Sequence, residues 1–437
     1  MKDANRNDIR WYETLTFKMA LLGIMAIMFL VPLQLIKSMI AERAENSRQV
    51  QQQISEEWGK KQIITGPVLT IPVSRVSRLG DDKEEREKLL WHIMPGELDV
   101  SGRVEPRVRY KGIYETVIYE ADLSLSGFFR IPELTGDKSG YEIMWSEAYY
   151  TVGISDNRGI KDSLSLLAGN THIPAEPGAR DKDISTSGIT FPAFINMGSE
   201  KIPFSLDLDL RGSSGIFFTP VGKKTTVDLS SSWTAPSFTG NFLPEERTVG
   251  DDGFKAIWNI THLNRNFPLA WFGRIHDPEK ESFGFNMILE VDHYRKSERS
   301  AKYGLLFIAF TYLVLLFLEM SSNRKIHVFH YFLVSLSLVL FFSLLNSLSE
   351  HIGFNPAYLV SSAATIILLS TFSGSLLKRG KYVLIISGML TLLYAFIYIL
   401  LALNEFAYLA GNIGLFAGLA VLMWMSSRMN LFRRTSK

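Results

Sequence analysis

The sequence predicts a membrane protein with six transmembrane helices, one N-terminal and five C-terminal, and a large all-β, sandwich-like domain between the first helix and the second. Three observations predict it. Apolar runs long enough to cross a bilayer gather at the two ends of the 437-residue chain, the polar middle alternates with period two, and charge is segregated between these regions. Residues 41–302 hold 32 Lys/Arg against 38 Asp/Glu while all other residues hold 14 against 6, so the formal net charge of +2 conceals an acidic middle and basic ends. A nucleic-acid binder would concentrate basic residues on one face, and none is expected as a partner. The absence of cysteine excludes a disulfide scaffold, thiol catalysis and Cys-ligated metal centres.

The elements follow in order. Residues 1–16 form a basic tail, and 17–40 form the first span. Lys2, Arg6, Arg10 and Lys18 resemble the n-region of a signal peptide, but the sequence from Pro32 to Lys37 lacks a small-x-small cleavage pattern, so an uncleaved anchor is expected. Pro32 should kink that span. Residues 41–62 form a stalk helix without an early Gly or Pro, packed either on its own domain or in a dimer contact. Residues 63–302 form the β-rich domain, 303–425 a five-helix bundle and 426–437 a second basic tail. The five spans fall at 303–320, 328–347, 354–377, 382–403 and 406–425. Breaks containing Arg324 and Lys325, or Lys378, Arg379 and Lys381, alternate with breaks free of Lys and Arg, which places both termini in the cytoplasm and 41–302 outside the membrane.

Within the middle region, Ser205-Leu-Asp-Leu-Asp-Leu-Arg211 and Asp122-Leu-Ser-Leu-Ser126 alternate strictly. Further strands are expected at 68–73, 117–119, 148–154, 215–219, 225–229 and 287–291, giving a large antiparallel sandwich. Residues 170–190 read as a loop and 80–88 as a solvated charge run.

No motif for nucleophilic, phosphate-binding or calcium chemistry occurs, no catalytic residue is assigned, and no cofactor or metal is expected. His327-x-x-His330 has metal-ligand spacing on a helix but no evident third ligand, and His262 and His276 form only a loose cluster. Asp207 and Asp209 read as outward positions of a half-buried strand. The candidate residues are therefore for interaction. Arg295, Arg299 and Lys302 form a basic collar at the membrane surface, beside a polar turn at Glu350 and His351. Trp233, Phe238 and Trp258 offer aromatic surface to a partner or, alternatively, fill the core.

Six blocks in order resemble the CreD family of bacterial inner-membrane proteins. These are Gln62-Ile-Ile-Thr-Gly-Pro-Val-Leu-Thr-Ile-Pro72, Arg109-Tyr-Lys-Gly-Ile-Tyr-Glu115 leading to Gly127-Phe128, and Ser155-Asp-Asn-Arg-Gly-Ile160. The longest runs from Leu210-Arg-Gly-Ser213 through Ser232-Trp-Thr-Ala-Pro-Ser-Phe238 to Trp258. Glu298-Arg-Ser-Ala-Lys302 precedes the second span, and Leu345-Asn-Ser-Leu-Ser-Glu-His-Ile-Gly-Phe354 closes the series. Lys111, His330 and Asn346 depart from the pattern, where Arg, Gln and Leu are usual. The turns at Gly66-Pro67, Arg158-Gly159 and Gly212 are expected to shape the matched blocks. The resemblance implies a non-enzymatic role in cell-envelope integrity within a two-component regulon, with links to colicin tolerance and β-lactam response. It implies a periplasmic domain that meets the lipid bilayer, an unknown envelope protein or cell-wall component, and in some assemblies a second copy of itself. A transporter or flippase of an envelope precursor is the alternative, and an enzyme acting on the cell wall a third reading.

Overall fold

The computed structural model describes residues 15–78, 84–133, 141–195, 200–287, 292–322, 325–377 and 380–403, together with 409–414 and positions 416, 420 and 423. The chain divides into a helical unit, Met1–Asn46 with Val291–Lys437, and a β unit, Ser47–Glu290.

The helices are α1 (Leu15–Met28), α2 (Leu30–Trp58), α3 (Asp292–Lys302), α4 (Gly304–Ser322), α5 (Val328–Ile352), α6 (Phe354–Leu377) and α7 (Gly380–Ala402). Among the described residues five helices are long and apolar enough to cross a membrane: α1 and α2 taken together as Thr16–Trp58, then α4, α5, α6 and α7. The expected sixth span at 406–425 lies largely outside the described residues. The first helix is interrupted at Phe29. Pro32 explains this, since its ring has no N–H to donate and collides with the carbonyl four residues back. Ile24, Ile27, Val31 and Leu35 are exposed, as side chains facing lipid would be. On α6, Ser361, Ser362, Thr365, Ser370 and Ser373 are buried, and Ser362 and Thr365 return hydroxyl protons to carbonyls of their own helix. Small hydroxylated residues of this kind let helix backbones approach closely.

The β unit ends at Glu290, not at 302, because Asp292–Lys302 is helical and packs on α4 to α7. Its strands form a ten-stranded and an eight-stranded sheet. At the centre of the first is Gln62–Arg78. It pairs in parallel with Gly215–Phe218 near its start, and antiparallel with Tyr149–Ile154, Glu84–Ile93 and Tyr141–Ile143 further along. That sheet continues outward through Phe283–Met287 to Pro236–Gly240 on one side, and through Gly188–Pro192 to Glu176–Pro177 on the other. The second sheet runs in the order Glu246–Gly250, Gly253–Thr261, Lys224–Ser231, Glu97–Lys111, Tyr114–Phe129, Ile202–Ser213, Ser165–Ala168, Thr171–Pro174. Both sheets contribute to one core: Leu69, Ile71 and Phe285 from the first, Leu125, Leu208 and Val227 from the second. Aromatic pairs bridge the sheets, with Phe129 at 5.3 Å from Tyr150 and Phe254 at 4.7 Å from Phe285 between ring centroids.

The alternation at 205–211 appears as expected, with Leu206, Leu208 and Leu210 inward and Asp207 outward. Four features differ from the sequence reading. The sheets are not wholly antiparallel, because Glu97–Lys111 also pairs in parallel with Lys224–Ser231. The chain supplies the long crossovers that parallel neighbours need by visiting other strands between them. The charge run is strand from Glu84 onward, its register setting Glu87 opposite Arg75 and Glu84 opposite Arg78. The presumed loop 170–190 contains Thr171–Pro174 and Glu176–Pro177 and enters Gly188–Pro192. Gly66 sits not in a turn but in a bulge of the Gln62–Arg78 strand, at φ +120°, where a side chain is strained. Gly212 likewise lies inside a strand, closely covered by the Tyr119 ring.

One buried polar junction ties the unit together. The Gln62 amide nitrogen donates to the carbonyls of Asp156 and Arg211, each at 3.0 Å, so it joins strands of the two sheets. Its oxygen accepts from the Asp156 N–H at 3.2 Å and the Ser155 hydroxyl at 3.3 Å. The Asp156 carboxylate accepts Nε and Nη2 of Arg158, both at 3.0 Å, and the Lys60 N–H at 3.0 Å. Arg158 also donates to the Glu56 carbonyl at the end of α2. Nearby, Trp58 donates its indole N–H to Tyr119 O, and Arg211 stacks on its ring, so Ser47–Trp58 packs on its own unit.

Burial opposes ionisation of Asp156, but the Arg158 hydrogen bonds and the Lys60 and Arg158 N–H groups outweigh it and hold the carboxyl below its usual range. A depressed folded-state pKa contributes stability above the unfolded value, about 3.9, and that stability is lost as pH falls through the folded value. Asp156→Asn should therefore lower the unfolding midpoint of the detergent-solubilised protein at pH 7 and flatten its fall between pH 5 and pH 3. Tryptophan fluorescence during thermal unfolding measures both, and an unchanged midpoint at pH 7 contradicts the role given to this carboxylate.

Candidate functional site

The aromatic candidates occupy one corner of the β unit. Trp258 is 1% exposed and packs between Phe238 at 5.8 Å and Phe283 at 5.7 Å, so it belongs to the core and is not available to a partner. Phe238 and Trp233 are half-buried against the same core, and the Trp233 indole N–H donates to Ala235 O at 3.0 Å. What this block exposes is backbone edge. Pro236–Gly240 ends the ten-stranded sheet and Glu246–Gly250 ends the eight-stranded sheet, every residue of the latter being exposed. Arg247 reaches across to stack on Phe238, linking the two edges.

The basic candidates lie on α3 within the helical unit. Arg299 donates from Nη2 to the Leu400 carbonyl at 3.2 Å, satisfying a backbone acceptor in the last turn of α7. Lys302 pairs with Glu298 one turn earlier at 3.0 Å. Arg295 is exposed on the same helix. The Tyr294 hydroxyl donates to Glu350 at 3.4 Å, so the structure brings α3 and the Glu350–His351 turn together. His351 lies in the last turn of α5, where a cation is favoured by the helix dipole, and Gly353 ends that helix at φ +76°. His327 caps α5 by accepting the Phe329 N–H at Nδ1.

Two constellations have no sequence motif. In the helical unit, Lys18 on α1 donates to both Glu319 oxygens on α4 at 2.6 Å and to Ile326 O at 2.7 Å. The Tyr331 hydroxyl on α5 donates to the same carboxylate at 2.9 Å. A charge in or near lipid is costly unless paired, and this network pairs both charges while joining three helices.

The second constellation is in the β unit. His92 ends the strand Glu84–Ile93, and Asp181 and Asp183 lie in the turn before Gly188–Pro192. His92 and Asp181 have no exposed side-chain surface, and Asp183 retains 22%. His92 Nδ1 stands 2.8 Å from Asp181 Oδ2, and His92 Nε2 stands 3.7 Å from Asp183 Oδ2. Asp181 Oδ2 also accepts the Thr70 hydroxyl at 2.5 Å, and Oδ1 accepts the Asp183 N–H at 3.0 Å. The three residues place metal-ligating atoms within 4.8 Å of one another. The Trp271 ring lies at 5.3 Å from that of His92 and at 5.2 Å from that of His276. Burial first, and then the neighbouring Asp181, pushes the Tyr149 phenol above its ordinary range. Sequence reading missed this centre because His92 and the two aspartates come from separated segments, and 170–190, which holds both aspartates, read as a loop.

The family described as inner membrane protein CreD matches residues 14–432. The inner membrane protein CreD of Escherichia coli (strain K12) is 28% identical over 425 residues, which cover 96% of this chain and 94% of that protein.

The Lys18–Glu319 geometry makes a testable statement about the helical unit. Removing one partner leaves the other charge part-buried and uncompensated, a larger loss than removing both. Lys18→Met and Glu319→Gln should each lower the melting midpoint of the protein in detergent, and the double variant should recover most of the loss. Losses that simply add would show that the pair is not coupled.

Proposed function

Because the chain belongs to the CreD family of inner membrane proteins, we propose that it supports the integrity of the bacterial cell envelope without catalysing a reaction, its β unit lying in the periplasm and binding another envelope protein. The positive-inside rule supports the orientation: basic residues flank the spans at the N-terminal tail, at 324–325, at 378–381 and after 427, with both termini then cytoplasmic. Colicin tolerance and envelope-stress response are the roles that the family resemblance brings to this reading.

One observation carries the binding proposal. The block 236–250 forms the outer edge of both sheets, and among the described residues Glu246–Gly250 has a neighbour on one side only. An unpaired edge presents backbone donors and acceptors that accept a strand from another chain. Leu243 and Val249 are exposed beside it.

Proline introduced singly at Arg247, Thr248 and Val249 tests the proposal. At the position whose N–H faces outward, proline preserves the internal ladder and denies an incoming strand its donor. In cells lacking the native gene, one such variant should accumulate in the membrane at the wild-type level yet lose protection against colicin or β-lactam. Full protection by every variant that accumulates normally would overturn edge binding.

A further inference from the structure

We propose that His92 and Asp183 bind a divalent transition-metal ion, for which zinc is the natural probe, with Asp181 as the carboxylate that orients the histidine. The argument begins with hydrogen-bond accounting. Asp181 is saturated by protein donors: Oδ2 takes the Thr70 hydroxyl at 2.5 Å and faces His92 Nδ1 at 2.8 Å, and Oδ1 takes the Asp183 N–H at 3.0 Å. An ionised carboxylate only accepts, so the proton between them belongs to His92 Nδ1. The opposite nitrogen, Nε2, is buried and has no hydrogen-bond partner. Its neighbour is the Asp183 carboxylate at 3.7 Å, too far for a hydrogen bond.

A buried nitrogen without a partner costs free energy whichever protonation state it adopts. A cation between Nε2 and Asp183 removes that cost. Zinc bonds of about 2.0–2.2 Å to nitrogen and to carboxylate oxygen fit between two atoms 3.7 Å apart, and water completes the coordination. Carboxylate, histidine and metal in line is the usual arrangement of a metal-ligating histidine, the outer carboxylate fixing tautomer and ring orientation. Here Thr70 and the Asp183 N–H fix the carboxylate in turn, and Trp271 packs on the imidazole. One imidazole with carboxylate oxygen suits zinc or manganese better than calcium. Asp183 retains surface, which supplies the path of entry. The ion would pin the turn at 181–185 to the strand Glu84–Ile93. The proposal stands independently of edge binding, since it concerns a different part of the β unit and a different measurement.

The test uses the full-length protein in detergent, freed of its affinity tag, treated with chelator and dialysed, then titrated with zinc against a chromophoric competitor. Wild-type protein should take up one zinc per chain, and saturating zinc should raise its melting midpoint. Asp183→Asn, a change at a partly exposed carboxylate, should weaken binding at least tenfold with the circular dichroism spectrum retained. Asp181→Asn should weaken it by about 10–100-fold, and His92→Gln should abolish it. Should His92→Gln fail to fold, Asp183→Asn decides the question alone. No zinc taken up by the wild type, or wild-type affinity in Asp183→Asn, would overturn the proposal.

Discussion

The β unit depends on the full satisfaction of one buried amide. Gln62 is completely enclosed, so each of its four hydrogen-bonding positions must find a protein partner or carry a desolvation cost. They find Ser155, Asp156 and Arg211. Because Gln62 lies in the ten-stranded sheet and Arg211 in the eight-stranded one, the same side chain fixes one sheet against the other. Asp156 and Arg158 extend the junction to the last turn of α2. Three of the blocks that resemble the family meet here: the opening strand, the Ser155–Ile160 turn and the Leu210–Ser213 segment. Their chemistry is the chemistry of a joint. In a chain without cysteine, this joint and the shared apolar core do the work that disulfides do in smaller secreted domains.

A related constraint governs the helical unit, where the medium around the helices offers no hydrogen bonds. Charges near the helix ends are therefore found in partnerships: Lys18 with Glu319 and Tyr331, Arg299 with the carbonyl of Leu400. The Ser362 and Thr365 hydroxyls of α6 answer the same need by bonding within their own helix. The collar expected at the membrane surface is in this light partly a set of helix caps. Arg299 is committed to α7, and Lys302 to Glu298.

Much of the fold was legible because it rests on local periodicity. Apolar runs of bilayer length mark α4 to α7, and alternation at Leu206, Leu208 and Leu210 marks both strand and facing. What was not legible depends on partners distant in sequence. Glu84–Lys88 reads as a solvated run until the backbone of Gln62–Arg78 is placed beside it as a paired strand. Trp258 reads as a core residue or, alternatively, as the wall of a groove until Phe238 and Phe283 close over it. The His92 centre was invisible for the same reason: Thr70 and Asp181 are 111 positions apart and meet only when the turn before Gly188–Pro192 folds against the Gln62–Arg78 strand. Chemistry assembled from single residues on several strands leaves no spacing to recognise.

These elements assign different tasks to different parts of the chain. The Gln62 junction holds the sheets, the Lys18–Glu319 network holds the first helix to the bundle, and the edge Glu246–Gly250 is proposed to receive another molecule. Edge binding is the central claim, and site-specific photocrosslinking in intact cells tests it most directly. Photoreactive residues placed one at a time from Glu246 to Gly250 should yield one recurring protein adduct, strong at alternate positions as a paired strand requires, and absent when the same probe replaces Asp207 on the opposite part of the sheet. No adduct along the edge, or equal capture of the same species from Asp207, would contradict it.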